Sequence, residues 1–360
     1  MEMVFRWFGE DNDHVRLDQI KQIPDVKGIV WSLHHVAAGE KWPINKIMEV
    51  HKQATEHKLH IKVVESVNVH EDIKLGRPTR DHYIENYKET IRELGKVGVE
   101  VICYNFMPVF DWIRTNLHKE LEDGSTALFY EKKMIEGTEP SKIVASVLKN
   151  KSFTLPGWEP ERLEQLQEVL EAYKMVDEEK LWANLQYFLK EVVPVAEECN
   201  IKLAIHPDDP PWSVFGLPRI VTTEENIGRI INLVDSPSNG ITFCSGALGA
   251  NPNNDLVNII RKYGERIHFA HVRNLKRFDN GDFIETAHKM SYGSIDMVGV
   301  MEAFYNIGYT GYIRPDHGRD IWGEVGRPGY GLYDRALGAM YLFGLWDAIS
   351  RRGGKDEYSA

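Results

Sequence analysis

Cysteine is scarce: Cys103, Cys199 and Cys244 are the only three in 360 residues. That excludes a scaffold built on disulfides and leaves each thiol as packing, ligand or nucleophile. No run of eighteen apolar residues occurs, which argues against a membrane span. The N-terminal Met-Glu-Met-Val-Phe-Arg-Trp-Phe lacks the basic and apolar regions of a secretion signal, so the expected location is cytoplasmic. Positive charge is in deficit, 43 Lys and Arg against 54 Asp and Glu for a formal charge of −11, which disfavours a nucleic-acid partner. A P-loop is missing too, and Gly-Ala-Leu-Gly-Ala at 246–250 is too short for a dinucleotide fingerprint, so no nucleotide cofactor is expected.

What is present is an alternation of short apolar runs with longer stretches of helical period, the pattern of βα units around a parallel sheet. Eight runs read as strands: Met3 to Trp7, Gly28 to Trp31, His60 to Glu65, Glu100 to Asn105, Ile201 to His206, Gly240 to Cys244, Arg266 to His271, and Gly311 to Asp316. Most are continuously apolar, as strands covered on both faces should be. The clearest helix follows Asp177, an N-cap, with Glu178 and Glu179 in the first turn and Leu181, Leu185, Phe188, Leu189, Val192 and Ala196 recurring at a period near four. Pro194 is expected to bend its last turn.

Eight such units predict a single-domain (β/α)8 TIM barrel over residues 1–360. The repeat has one large interruption, between Phe106 and Asp177, too long for an ordinary βα connection and containing a helix-like segment from Glu161 to Val176. The expectation is an insertion at about 107–176 after the fourth strand, a lid over the C-terminal face of the barrel.

Active sites of such barrels form at the C-terminal ends of the strands. Four successive runs end in metal-ligand types, His206, Cys244, His271 and Asp316, and together they supply N, S and O donors for one divalent ion. Each alone reads more simply as a buried or hydrogen-bonded residue; the coincidence at four strand ends carries the argument. Donors spread over four strands at an open mouth suit a catalytic site, whereas structural zinc uses short-range Cys pairs. Asp208 and Asp209, in His-Pro-Asp-Asp-Pro-Pro, read equally as partners of a ligand or as turn formers.

Several segments carry a resemblance: Cys-Tyr-Asn-Phe-Met-Pro-Val-Phe-Asp-Trp from Cys103, Ala-Ile-His-Pro-Asp-Asp-Pro-Pro from Ala204, Arg-Pro-Asp-His-Gly-Arg from Arg314, and Pro-Gly-Tyr-Gly-Leu-Tyr-Asp-Arg-Ala-Leu-Gly from Pro328. With Glu65-Ser66 and Val-His-Glu-Asp-Ile-Lys from Val69, they span nearly the whole chain and resemble the mannonate dehydratase family. The resemblance implies a barrel of the xylose isomerase-like group, a Mn2+ or Fe2+ requirement, and dehydration of D-mannonate to 2-keto-3-deoxy-D-gluconate. It also implies a homodimer working in hexuronate breakdown. The family's metal ligands fall on His206, Cys244, His271 and Asp316, and its acid/base pair on His317 and Tyr330.

Dehydration removes the C2 proton beside a carboxylate and expels the C3 hydroxyl, so it needs charge stabilisation and a positioned acid. Arginine suits the substrate carboxylate, and Arg6, Arg314 and Arg319 are the candidates. Trp7, Glu65 and Asn105 end other strand runs, and His70 and Trp212 lie in loops beyond them; all are candidate sugar contacts. The rival readings are a metal-dependent sugar isomerase or epimerase on the same barrel, and a non-catalytic sugar-acid sensor.

Overall fold

The structure is a computed structural model and describes residues 1–137 and 163–352. Twelve strands occur among these residues: β1 (Glu2–Arg6), β2 (Gly28–Trp31), β3 (His60–Glu65), β4 (Val101–Tyr104), β5 (Asn116–Glu120), β6 (Thr126–Tyr130), β7 (Lys202–Ile205), β8 (Asn239–Cys244), β9 (Ile267–His271), β10 (Leu275–Arg277), β11 (Phe283–Glu285) and β12 (Tyr312–Arg314). Eight of them close a parallel barrel in the order β1-β12-β9-β8-β7-β4-β3-β2. The seam joins Glu2 to Tyr312 and Met3 to Ile313. These are the eight strands expected from the sequence, within a residue or two at each end.

Strand residues alternate between two cores. Val4, Val30, Val63, Val101, Cys103, Ala204 and Phe269 fill the barrel interior. Their neighbours Phe5, Ile29, Val64, Ile102, Leu203, Ile205, Phe243 and Ala270 belong to the larger core under the helices. That period of two sets the functional geometry. Counting two residues onward from this layer, and from Tyr312 packed against it, reaches Arg6, Glu65, Asn105, His206, His271 and Arg314, so the polar residues at the strand ends share the inward face.

The helix Glu178–Glu198 is capped as expected, with Asp177 Oδ1 accepting from Lys180 N at 2.8 Å. Its apolar stripe from Leu181 to Ala196 is fully buried. Pro194 lies inside this helix, which runs on to Glu198. In the insertion, Leu163–Tyr173 is helical, matching the segment read at 161–176, whereas residues 138–162 and the charged tail from 353 onward lie outside the described residues.

The sequence reading did not anticipate a second sheet. β5 and β6 from the insertion join β10 and β11, which follow β9, in a four-stranded antiparallel sheet of order β10-β11-β6-β5. Phe283 pairs with Tyr130 and Ile284 with Phe129. These strands are three to five residues long, and β5 buries only Leu117, so neither length nor alternation announces them.

Candidate metal centre and active site

The ligand atoms of His206, Cys244 and His271 lie within 4.8 Å of one another. His206 Nε2 faces His271 Nδ1 at 3.1 Å. On its other side His206 Nδ1 sits 2.7 Å from the Pro207 carbonyl, so Nδ1 carries the proton and Nε2 offers a lone pair. His271 Nε2 lies 3.5 Å from Glu65 Oε2, which also meets Arg314 Nη2 at 3.0 Å, and this buried imidazole nitrogen has no hydrogen-bond partner among the described residues. With the Nε2 proton turned to Glu65, His271 Nδ1 also offers a lone pair, the carboxylate–histidine arrangement that commonly backs a metal ligand. Two lone pairs 3.1 Å apart repel each other unless a cation sits among them. The donor set therefore fits a divalent ion.

Cys244 ends β8 and starts the short helix Ser245–Gly249, where its sulfur accepts the Ala247 N–H at 3.3 Å. Asp316 places Oδ2 3.5 Å from Cys244 Sγ and Oδ1 3.6 Å from His271 Nδ1. Its backbone holds a positive φ of 61° just past β12. Arg273 Nε donates to Oδ2 at 2.6 Å and Arg314 Nη2 approaches Oδ1 at 2.8 Å. Burial alone would raise the Asp316 carboxyl, but Arg314, His317, His271 and Arg273 together hold it well below the usual range. Gly246 serves this packing: a Cβ there would meet Arg273 Cζ at 2.2 Å.

Beside this cluster runs a hydrogen-bonded chain. His317 Nδ1 meets Glu285 Oε2 at 2.9 Å, and His317 Nε2 meets the Tyr330 hydroxyl at 2.9 Å. Trp112 packs edge-on against the His317 ring at 5.5 Å. Burial pushes the Tyr330 phenol up, so it remains a donor. Arg335 donates to the carbonyls of Tyr330 and Gly331 and, at 3.0 Å, to that of Arg6, fixing the loop that presents the tyrosine. That loop turns at Gly329, with a φ of 79°.

The remaining sequence candidates divide. Arg314 bridges Glu65 (3.0 Å) and Asp316 (2.8 Å) through Nη2 alone, while its Nε and Nη1 are buried without a partner among the described residues. Arg6 is buried at the end of β1, its Nη1 on the carbonyls of Trp7 and Val30, and burial lowers it to about 10 against the pull of Glu65. Glu65 is held low, against its burial, chiefly by Arg314 and then by His271 and Arg6. Asn105 is half-buried, its Oδ1 accepting from Met107 N at 3.3 Å.

Other candidates are engaged elsewhere. Trp7 points into the outer core and donates to the Val15 carbonyl at 3.0 Å. Arg319 binds Asp334 at 2.9 Å and Asp123 at 3.0 Å. His70 caps the helix Glu71–Leu75 and stacks on Tyr83 at 3.6 Å. Trp212 donates to the Tyr130 hydroxyl at 3.1 Å. Of the two aspartates after His206, Asp208 accepts from Val221 N, whereas Asp209 lies between Arg114 and Arg273.

Sequence reasoning missed Arg114, Arg273 and Glu285, all buried beside the cluster. Arg273 lies two residues beyond His271, where the strand period would have found it. Glu285 lies in the long connection between β9 and the helix Met297–Asn306, whose length was the available signal.

Fold and donor set define a TIM barrel with a candidate divalent-metal centre at its mouth. A xylose isomerase domain protein from Planctomyces limnophilus shares the fold at a TM-score of 0.54 and 12% identity, over 98% of this chain and 97% of its own. The chain belongs to the D-mannonate dehydratase (UxuA) family, whose model matches residues 1–356. It is 64% identical to mannonate dehydratase 1 of Halalkalibacterium halodurans over 349 residues, 97% of either protein. The crystal structure of mannonate dehydratase from Streptococcus suis serotype 2 superposes with a TM-score of 0.89 at 45% identity, covering 99% of this chain and 95% of that one.

Proposed function

We propose that this chain is a hydro-lyase that converts D-mannonate to 2-keto-3-deoxy-D-gluconate and water. The observation that carries the reading is the pairing of two elements at one barrel mouth: the facing donors His206 and His271 beside Cys244, and the hydrogen-bonded His317–Tyr330 pair. Family membership supplies the substrate.

His206, Cys244, His271 and Asp316 would hold the ion, Mn2+ or Fe2+. When bound it supplies Lewis-acid stabilisation of the charge that builds beside the substrate carboxylate as the C2 proton leaves. The Nε and Nη1 donors of Arg314, buried and unpaired among the described residues, suit a carboxylate, since an unanswered buried N–H is costly. Tyr330 and His317 divide the base and acid roles: one takes the C2 proton while the other protonates the departing C3 hydroxyl, which is a poor leaving group as hydroxide. The Tyr330 oxygen and His317 Nε2 are 2.9 Å apart, so a proton taken at one passes readily to the other. The enol then tautomerises to the 2-keto acid.

The described part of the insertion, 107–137 and 163–176, covers the mouth in this reading, supported by Trp112 against His317 and by Arg114 against Asp209. The same reading includes a cytoplasmic homodimer; among the described residues no helix is long and apolar enough to cross a membrane. The test is turnover of D-mannonate by metal-stripped protein with and without Mn2+, following the 2-keto product. Metal-dependent product supports the reading. Tight binding without turnover under any divalent ion overturns it in favour of a sensor, and an isomerised sugar acid in favour of an isomerase.

A further inference from the structure

We infer that Glu285 is a positioning residue of the reaction: its carboxylate pins His317 with the proton on Nδ1, leaving the Nε2 lone pair for the Tyr330 hydroxyl. The inference rests on the reading that His317 and Tyr330 move the protons. Glu285 ends β11, outside the barrel sheet, and its side chain is 2% exposed. Its Oε1 accepts from Arg114 Nε (3.1 Å) and Nη2 (2.7 Å) and from Arg273 Nη1 (3.0 Å). The two guanidinium groups are themselves fixed by Asp209, at 2.9 Å from Arg114 and 2.8 Å from Arg273. The carboxylate therefore has no freedom to turn, and it faces His317 Nδ1 with Oε2 at 2.9 Å and Oε1 at 3.0 Å.

An ionised carboxylate only accepts hydrogen bonds. Against its burial, Arg273, His317 and Arg114 hold Glu285 down to about 2, so it is ionised at neutral pH. The atom facing it must then be an N–H, so in the single-proton form of the ring the lone pair is on Nε2. When Nε2 takes a proton from Tyr330 or from substrate, the resulting imidazolium already has its counter-charge in place. The second sheet thereby acquires a chemical role, because β11 presents Glu285 to a loop of the barrel.

Glu285→Gln separates this role from simple packing. The glutamine oxygen is expected to stay on Arg114 and Arg273, which turns the amide NH2 toward His317 Nδ1. An Nδ1–H would be driven against that NH2, which favours the tautomer in which Nδ1 accepts and the ring proton sits on Nε2, where Nε2 no longer accepts from Tyr330. Expected for Glu285→Gln is a fall in kcat on the order of 10²–10⁴-fold, with KM and bound metal unchanged. Glu285→Asp should recover part of the loss. In a His317→Asn background, Glu285→Gln should cost nothing further, whereas a merely structural role would add its loss to that of the first substitution.

Full activity in Glu285→Gln while His317→Asn is inactive overturns this inference alone; full activity in His317→Asn overturns the reading beneath it. Should Glu285→Gln fail to fold, the nitrogen-15 shifts of His317 decide, measured in wild-type protein loaded with diamagnetic Mg2+ and assigned by their absence in His317→Asn. A protonated Nδ1 with an unprotonated Nε2 is expected, and the reverse tautomer overturns the inference.

Discussion

At the N-terminal ends of the strands His60 meets Glu2 at 2.5 Å and Lys62 meets Glu100 at 2.8 Å, with 30–51% of each side chain exposed. At the C-terminal ends Arg114, Arg273, Asp209, Glu285 and Asp316 form an interlocked set of ion pairs with 0–3% exposure. One barrel thus carries ion pairs under two dielectric conditions. Exposed pairs are screened by water and are individually replaceable. In the dry set every charge is fixed by its neighbours, and removing one partner strands the others. Chemistry belongs at the dry end, where a proton or cation is held in place by groups that do not reorganise.

The largest effect should follow from removing a donor at that end. His271→Ala leaves His206 Nε2 without its facing nitrogen and Glu65 without its imidazole. Loss of an outer partner of a metal ligand typically costs 10–100-fold in affinity or activity, so losing the ligand itself should cost more than about 100-fold. Metal content by elemental analysis and turnover should fall together. Retention of bound Mn2+ by His271→Ala would place the centre elsewhere. Next comes Tyr330→Phe, which removes only the hydroxyl on His317 Nε2; a loss of about 10²–10⁴-fold in turnover with metal retained is expected. Unchanged turnover would remove Tyr330 from the chemistry.

The comparison predicts stability as well as activity. Arg114→Ala takes two hydrogen bonds from Asp209 and two from Glu285, all between side chains at most 2% exposed. Breaking a buried pair from one side costs about 3–5 kcal/mol, read as a lower midpoint in urea. Acid should do likewise to the wild type. The folded Glu285 carboxyl is lowered from 4.5 to about 2, by Arg273, His317 and Arg114 acting against burial. A lowered folded value means the contribution is complete above pH 4.5 and is lost as pH falls toward about 2. Glu285→Gln has no carboxyl to protonate, so its acid unfolding should be flatter across that window.

These residues also mark how far the sequence could be read. All eight barrel strands were legible because buried parallel strands are continuous apolar runs bounded by turns. The four residues at successive strand ends followed from the same pattern, since a strand's last inward residue must face the mouth. Arg114, Arg273 and Glu285 were not legible as a set. They come from the insertion, from the loop after β9 and from β11, and only tertiary structure brings 114 beside 285. The second sheet escaped for a related reason: short strands from two distant excursions each lack a face of their own and are stabilised only by each other. Sequence position also misled at Trp7 and Arg319. Both stand at or just past a strand end, yet Trp7 faces the outer core and Arg319 is spent on Asp334 and Asp123.

The smallest effect should come from the wet end. Lys62 and Glu100 are 36% and 51% exposed, and the Glu100 carboxylate also accepts the Tyr312 hydroxyl at 2.6 Å. Lys62→Ala therefore leaves Glu100 hydrated and still hydrogen-bonded. Exposed pairs of this kind are worth about 0.2–1 kcal/mol, and that contribution should shrink further in high salt as the charges are screened. Turnover should not change, because the interior layer of Val63, Val101, Ala204 and Phe269 separates this pair from the mouth. A urea midpoint shift for Lys62→Ala as large as that for Arg114→Ala would mean that burial is not what distinguishes the two ends.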